Sequence, residues 1–223
     1  MDIGCEGGHI STSDLLKLFP DIQKVIAIDA RLASEFYKNP KIEYHVADIT
    51  KSSSLFAWKG KITKIISSHC FNCLRSFDKA FENVFDLLVP NGTAAIYFTL
   101  NSSYYTYFDE IIKKWIKFSN FEYQGLPAVQ KRNLDAQYFE ILAQKVGFDV
   151  VLCESVVQNL YFDTDLHCEV FLETTCPCGI PFGITDYFKK NLIETFRKYS
   201  ERNAQNKITF KMTVLKMMLS KPS

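Results

Sequence analysis

No apolar run in the 223 residues approaches the roughly 18 that a membrane-crossing helix requires, so no membrane span is expected. Glycine and proline are scarce, nine and seven in the whole chain, against a usual share of roughly 12%. That scarcity excludes a collagen-like chain and argues against a turn-dense β sandwich. Charge of one sign is lacking too. Lys plus Arg number 26 and Asp plus Glu 25, a net +1, which gives no global pull toward nucleic acid or a membrane surface. The start, Met1-Asp2-Ile3-Gly4-Cys5-Glu6, is acidic and lacks the basic region of a secretory signal. The seven cysteines are odd in number and scattered, at 5, 70, 73, 153, 168, 176 and 178, unlike a secreted disulfide framework. They read as reduced thiols in a cytoplasmic protein.

The rest is ordinary globular composition, 47% apolar and 23% charged. β-rich runs alternate with helical patterns through the first half. Val25 to Ile28 reads as a buried strand ending at Asp29, Ile42 to Val46 as a second ending near Asp48, and Lys64 to Ile66 as a third ending at Ser67. Ala94 to Phe98 is a fourth, after a turn at Pro90-Asn91-Gly92. Between them, helices are expected over Thr12 to Leu18 behind an N-cap region at Ser11–Ser13, over Leu32 to Tyr37, and over Phe77 to Leu88. This rhythm predicts an α/β fold: a mostly parallel sheet with helices on both faces.

In the second half, helices are expected over Tyr104 to Phe118, over Leu134 to Val146 with Gly147 as its stop, and near 165–174 and 186–202. Asp149 to Leu160 and Lys207 to Leu219 read as strands. No repeat or low-complexity linker appears. One domain over 1–223 is therefore expected, with helical covering elements near 102–130 and 163–202. The final 35 residues hold nine Lys/Arg and two Glu, read here as a solvated basic face.

The chemistry concentrates at the start. Asp2 to Gly8 forms a glycine-rich turn leading to a helix. Glycine admits φ > 0 and close backbone approach, and a helix N-terminus offers free N–H groups to a carboxylate. Twenty-five residues after Gly4 a strand ends in Asp29-Ala30, where an acid accepts from a ribose diol. The next strand leads to Asp48-Ile49, where a carboxylate accepts from an adenine amine. Ser67 follows the strand after that, at the open end of the sheet.

This set resembles the class I S-adenosylmethionine-dependent methyltransferases over nearly the whole chain. Asp2, Gly4 and Gly8 match their first motif, Asp29 the ribose acid, and Asp48-Ile49 the adenine pair. Ala80-Phe81-Glu82-Asn83-Val84 and Leu87 to Gly92 match the helix and turn before their fifth strand. The resemblance implies a Rossmann-like methyltransferase fold with S-adenosyl-L-methionine as cofactor. Asp2, Gly4, Gly8, Asp29, Ala30, Asp48, Ile49 and Ser67 would hold it. Because the chain opens on the glycine-rich turn, the first strand is expected to be truncated to Met1–Ile3, and Glu6 stands where the motif has a second glycine.

Within that class the chain is similar to the insect juvenile hormone acid methyltransferases. Ser67 to Leu74 with Ala80 to Asn83, the segment Lys145 to Phe148, and Asn206 to Phe210 carry this similarity. It implies O-methylation of a small hydrophobic carboxylic acid of isoprenoid type, such as farnesoic or juvenile hormone acid. A carboxylate is ionised near neutral pH and needs no base, so the enzyme's work is alignment and exclusion of water. His69 and Asn72 are the candidates to orient the acceptor, and Phe71, Cys73, Tyr107 and Trp115 to bind its apolar body. The family has His-Trp where this chain has Asn72-Cys73.

The alternative is a catalytically inactive relative that binds a ligand or a protein; Glu6 and the short first strand point that way. Zinc on Cys70, Cys73, Cys176 and Cys178 is set aside because Cys-x-Cys is tighter than the usual zinc pair, so no metal is expected. A thioredoxin-like use of Cys70/Cys73 has no matching surroundings. A dinucleotide dehydrogenase would need Gly-x-Gly-x-x-Gly, which Gly4, Gly7 and Gly8 do not make. Nucleic-acid amino methyltransferases carry an Asn/Asp-Pro-Pro-aromatic loop where this chain has Ser67-Ser68-His69-Cys70, so no nucleic-acid partner is expected. Oligomeric state is not legible.

Overall fold

The computed structural model describes residues 1–115, 126–168 and 200–223, with Glu194 and Lys198 between them. The strands among these are β1 (Asp2–Ile3), β2 (Val25–Asp29), β3 (Ile42–Val46), β4 (Ile62–Ser68), β5 (Leu88–Ser102), β6 (Asp149–Tyr161), β7 (Glu201–Arg202) and β8 (Ile208–Ser220). The helices are α1 (Ser11–Leu18), α2 (Phe77–Leu87), α3 (Ser103–Trp115), α4 (Ala128–Lys131) and α5 (Ala136–Val146).

One sheet runs in the order β3-β2-β1-β4-β5-β8-β6, with β7 attached to β8. β1–β2, β1–β4, β2–β3 and β4–β5 pair in parallel, and β7–β8 antiparallel. This is the mixed α/β, mostly parallel architecture expected. The first strand is short and central. Asp2 and Ile3 pair with Ala27 and Ile28 on one side and with Ile66 and Ser67 on the other. Met1 extends the second ladder, its carbonyl accepting from the Ile66 amide at 2.9 Å.

The chain divides into two compact units. The first holds Met1–Phe98, Leu134–Ser155 and Leu215–Ser223. Its core is a cluster of five phenylalanines, Phe71, Phe77, Phe81, Phe98 and Phe139, each with no exposed area. Phe139 of α5 is the hub: its ring lies 5.2 Å from Phe77, 6.1 Å from Phe81 and 5.1 Å from Phe98. The helical spacing of Phe77, Phe81 and Val84 turns one face of α2 into this core. α5 starts at Asp135, whose carboxylate accepts from the Tyr138 amide at 2.9 Å, and stops at left-handed Gly147 as expected.

The second unit holds Thr99–Asn133 and Val156–Val214. Phe210 is buried there against Tyr104 and Phe162, at 6.0 and 5.3 Å. Gln130 ties α4 to the start of α3, accepting from the Ser102 amide at 3.2 Å and donating to the Thr106 hydroxyl at 3.1 Å.

Four sequence expectations need correction. Leu32–Tyr37 forms no helix. The Tyr37 amide donates to the Gly7 carbonyl, replacing the bond a helix would use, and the Arg31 amide just before the segment donates to the Asp29 carboxylate. The Ser11–Ser13 region gives α1 no side-chain cap, because the helix begins at Ser11 and the cap position falls on apolar Ile10; the Ser11 and Thr12 hydroxyls instead donate to Asp2 Oδ2, at 2.7 and 2.6 Å. Pro90-Asn91-Gly92 does not precede the strand but lies within β5 as a bulge. The β4 register there jumps from Leu88 to Thr93, and Asn91 takes φ +60°. Glu201–Arg202 is a strand, not the end of a helix, because it pairs with Ile208–Thr209. Of the two late helices, 165–168 and the single described positions Glu194 and Lys198 are helical, and the rest, up to 199, lies outside the described residues. The cysteine reading also changes at one position: Cys5, Cys70, Cys153 and Cys168 are free, but Cys73 is disulfide-bonded.

Candidate functional site

All of the expected cofactor residues lie in the first unit, at the ends of β1, β2, β3 and β4. The chain leaves β1 through a tight reversal in which the Gly4 and Cys5 amides both reach back to the Ile28 carbonyl, at 2.8 and 3.2 Å. Three residues of that turn are left-handed: Gly4 at φ +79°, Glu6 at +51° and Gly8 at +72°. Glu6 therefore occupies a conformation suited to glycine, at a cost of about 1 kcal/mol. Gly4 has a second constraint. A Cβ there would sit 2.3 Å from Cys70 Cβ and 2.6 Å from its Sγ. Gly4→Ala is thus expected to lower stability by about 2–3 kcal/mol, from the left-handed backbone and the clash together. Urea unfolding measures the loss, and making Gly4→Ala in a Cys70→Gly background, which lacks both Cβ and Sγ, should recover the clash component alone. Equal losses in the two backgrounds would mean that Cys70 yields at no cost.

Asp29 joins the turn to the loop after β2. Its Oδ2 accepts from the Glu6 amide and its Oδ1 from the Arg31 amide, both at 3.0 Å. A carboxylate has about four lone-pair sites, so two stay available. The side chain is half-buried and Ala30 beside it is exposed. Asp48 is also half-buried, and its Oδ1 accepts from the Thr50 amide and hydroxyl at 2.9 and 2.7 Å. Oδ2 faces Lys51 Nζ at 3.3 Å and keeps acceptor capacity. Burial works against the charged form of Asp48, but the Thr50 bonds and Lys51 outweigh it and hold the carboxyl below its ordinary range. The folded chain then binds fewer protons than the unfolded chain near pH 4, so this contribution is present above the ordinary carboxyl pKa and lost as pH falls through the folded one. Asp48→Asn is expected to show a shallower loss of stability between about pH 5 and 3 than the parent in urea titrations. Parallel curves would count against this.

Ile49 is buried, and its carbonyl accepts from Asn83 Nδ2 at 2.7 Å; the Asn83 oxygen in turn accepts from Ser52 at 2.7 Å. Asn83 of α2 thus fixes the Asp48 loop. Ser67 is buried with its hydroxyl donating to the Ile3 carbonyl at 2.9 Å, which makes it a brace between β4 and β1. Asp2 is wholly buried. Its Oδ1 has no hydrogen-bond partner among the described residues, and burial raises its pKa against the pull of the Thr12 and Ser11 hydroxyls.

The loop after β4 carries the acceptor candidates. His69 is left-handed at φ +54°, and its imidazole stands edge-on to Tyr97 at 4.9 Å. Desolvation by neighbouring atoms lowers its pKa, which favours the neutral ring. Asn72 is buried, with Nδ2 donating to Cys73 Sγ at 3.5 Å. Phe71 is a core residue, with its ring 5.6 Å from Phe81 and 5.9 Å from Phe98. Tyr107 is half-buried on α3 of the second unit; the side chain of Trp115 lies outside the described residues. Among the described residues no group of three or more His, Cys, Asp or Glu side chains is placed to hold a metal, and no helix is long and apolar enough to cross a membrane.

Sequence reasoning missed three contributors to the site. Cys70 fills the notch beside Gly4, Asn83 holds the Asp48 loop, and Tyr44 packs on Gly8. Only Asn83 left a signal, as a polar residue on the apolar face of a predicted helix. Cys70 and Tyr44 act on a turn far away in sequence.

No family model matches the chain, and no curated protein matches it by sequence. Solved structures do match. A presumed methyltransferase of Bacillus halodurans covers all of this chain and 91% of its own, at 13% identity and TM-score 0.61. The YcgJ protein of Bacillus subtilis covers all of it and 91% of its own, at 14% and 0.59. Phosphoethanolamine N-methyltransferase 2 of Haemonchus contortus, in complex with phosphomonomethylethanolamine and S-adenosylhomocysteine, covers all of it at 17% and 0.56. This chain spans 48% of that enzyme's length. The fold is thereby the Rossmann-like fold of the class I methyltransferases. At these identities the likeness establishes the fold alone.

Proposed function

We propose that the chain binds S-adenosyl-L-methionine and transfers its methyl group to the carboxylate of a small hydrophobic acid. The observation that carries the reading is Asp29. Its carboxylate holds the glycine-rich turn and the loop after β2 together through two backbone amides, yet keeps two acceptor sites free for a ribose diol. Asp48 keeps acceptor capacity for an adenine amine. The first turn of α1 has no side-chain cap, which suits the carboxylate of the cofactor's amino-acid end.

When bound, the cofactor supplies a sulfonium-activated methyl group. The acceptor carboxylate attacks that carbon, a C–O bond forms, the C–S bond breaks, and a methyl ester and S-adenosylhomocysteine result. The chain's residues align and shield rather than move protons. Neutral His69 hydrogen-bonds a carboxylate without neutralising it as an imidazolium would, so the acceptor stays nucleophilic; Asn72 is the second orienting group. An isoprenoid acid of juvenile hormone type is the substrate that the sequence resemblance favours, and a location in the cytoplasm belongs to the same reading.

One observation favours a second reading, a non-methylating relative. Glu6 places a carboxylate in the left-handed position of the turn. One matching structure, at 11% identity and TM-score 0.56, is that of a [4+2]-cyclase, SpnF, so the fold also hosts other chemistry. Calorimetric titration of the full chain with S-adenosyl-L-methionine separates the two, with circular dichroism to verify folding. Saturable binding is expected, followed by methyl-ester formation from an isoprenoid acid. A folded chain that takes up no cofactor supports the second reading.

A further inference from the structure

Tyr44 lies in β3, in register with Ala27 of β2, and its ring packs on Phe36 at 4.7 Å. Its hydroxyl donates to the Tyr37 carbonyl at 2.9 Å, with the Gly7 carbonyl a longer second acceptor at 3.3 Å. The Gly7 carbonyl also accepts from the Tyr37 amide at 2.8 Å. One phenol thus meets the loop after β2 and the glycine-rich turn at the same point. The fit extends to Gly8. A Cβ on Gly8 would sit 2.2 Å from the Tyr44 oxygen, and Gly8 is left-handed at φ +72°. The turn passes over the phenol only because this residue is glycine.

We propose that Tyr44 is a positioning residue: it clamps the loop after β2 onto the glycine-rich turn and holds the far half of that turn in the shape that receives the cofactor's amino-acid end. The proposal rests on the cofactor reading above. The turn has two supports with separate duties. Asp29 holds its near half through the Glu6 amide and faces the ribose position. Tyr44 holds its far half at Gly7 and Gly8, directly before α1, whose uncapped first turn faces the carboxylate position. The loop over 31–40 is without helix because its amides serve this arrangement: Arg31 on Asp29 and Tyr37 on Gly7. Partial burial raises the Tyr44 pKa, so the phenol stays a donor throughout the neutral range.

The division of duties makes the test selective. Tyr44→Phe in the full chain removes the hydroxyl and keeps the ring. Three probes are titrated by calorimetry: S-adenosylmethionine, S-adenosylhomocysteine and 5′-methylthioadenosine, which keeps adenine and ribose but lacks the amino-acid end. The expected result is a loss of about tenfold for the first two, the size of one hydrogen bond, and under about twofold for the third. Exchange of the Tyr37 amide should accelerate in the same variant. Phe36→Leu, which touches the ring's support but not the hydroxyl, should leave the ratio among the probes unchanged. Unchanged affinities in Tyr44→Phe, or an equal loss for all three probes, would overturn the clamp while leaving the cofactor reading intact. A folded parent chain that binds none of the three overturns the cofactor reading, and the clamp's role toward a cofactor with it.

Discussion

Asp29→Ala is expected to lower affinity for S-adenosyl-L-methionine by at least about 100-fold, the equivalent of two hydrogen bonds to a charged group. The carboxylate sits at the end of β2 with two of its lone-pair sites engaged by backbone amides and two left to accept from the ribose hydroxyls of the proposed cofactor. Alanine removes both acceptors. It also frees the Glu6 and Arg31 amides, but both belong to exposed residues, and water replaces the lost partner. The cost in folding is then about 1–2 kcal/mol, small enough to leave the chain folded. Calorimetry with circular dichroism measures both quantities. A ribose-dideoxy analogue of the cofactor gives the sharper comparison. It should bind the parent weakly and bind Asp29→Ala with little further loss, since the missing hydroxyls and the missing carboxylate are one interaction. Parent-like affinity in a folded Asp29→Ala chain would show that the ribose is held elsewhere.

The second large effect concerns stability. Phe139→Ala is expected to cost about 3–5 kcal/mol, because a fully buried ring leaves a cavity that its neighbours close only in part. Phe139 comes from α5, Phe77 and Phe81 from α2, and Phe98 from β5, so the cavity opens where three elements meet. A chain of this size is stabilised by only about 5–15 kcal/mol in total, so the urea midpoint should fall steeply. An unmoved midpoint would mean that α5 is not part of the cooperative core. Phe85, whose ring meets Phe148 at 5.0 Å and lies under Lys221 Nζ, is only half-buried and should cost less.

The strands that position the site were legible because each ends an apolar run with an acid or a serine. β2 and β3 match their predicted spans within a residue: β2 because a buried parallel strand reads as an unbroken apolar stretch, β3 because an edge strand alternates Ile42, Tyr44 and Val46 with Glu43 and His45. α2 and α5 were legible from the 3.6-residue spacing of phenylalanines and from Gly147. What failed did so through tertiary contacts. Leu32–Tyr37 has a helical pattern, but its Tyr37 amide is drawn to Gly7 and the preceding Arg31 amide to Asp29. Ser11 and Thr12 look like caps, but they fall inside the first turn, where their hydroxyls donate to a buried aspartate. Pro-Asn-Gly looks like a turn, but β4 and the strand at 88–102 continue pairing across it. The site residues divide in the same way. Gly4, Gly8 and Asp29 advertise backbone and acceptor chemistry locally, whereas Cys70 and Tyr44 matter only through partners distant in sequence.

The central place of β1 between two parallel neighbours has a kinetic consequence. Its flanking strands are made in order: Ala27 and Ile28 soon after it, Ile66 and Ser67 roughly forty residues later still. During synthesis at about 5–20 residues per second, β1 therefore waits several seconds for its second neighbour, with one edge open. Both of its ladders are parallel, so each forms only after the entropy of a long intervening segment is overcome. The sheet's centre is thus expected to be among the last parts to lock, with β2 and β3 assembling first and the glycine-rich turn acquiring its shape only when β4 arrives.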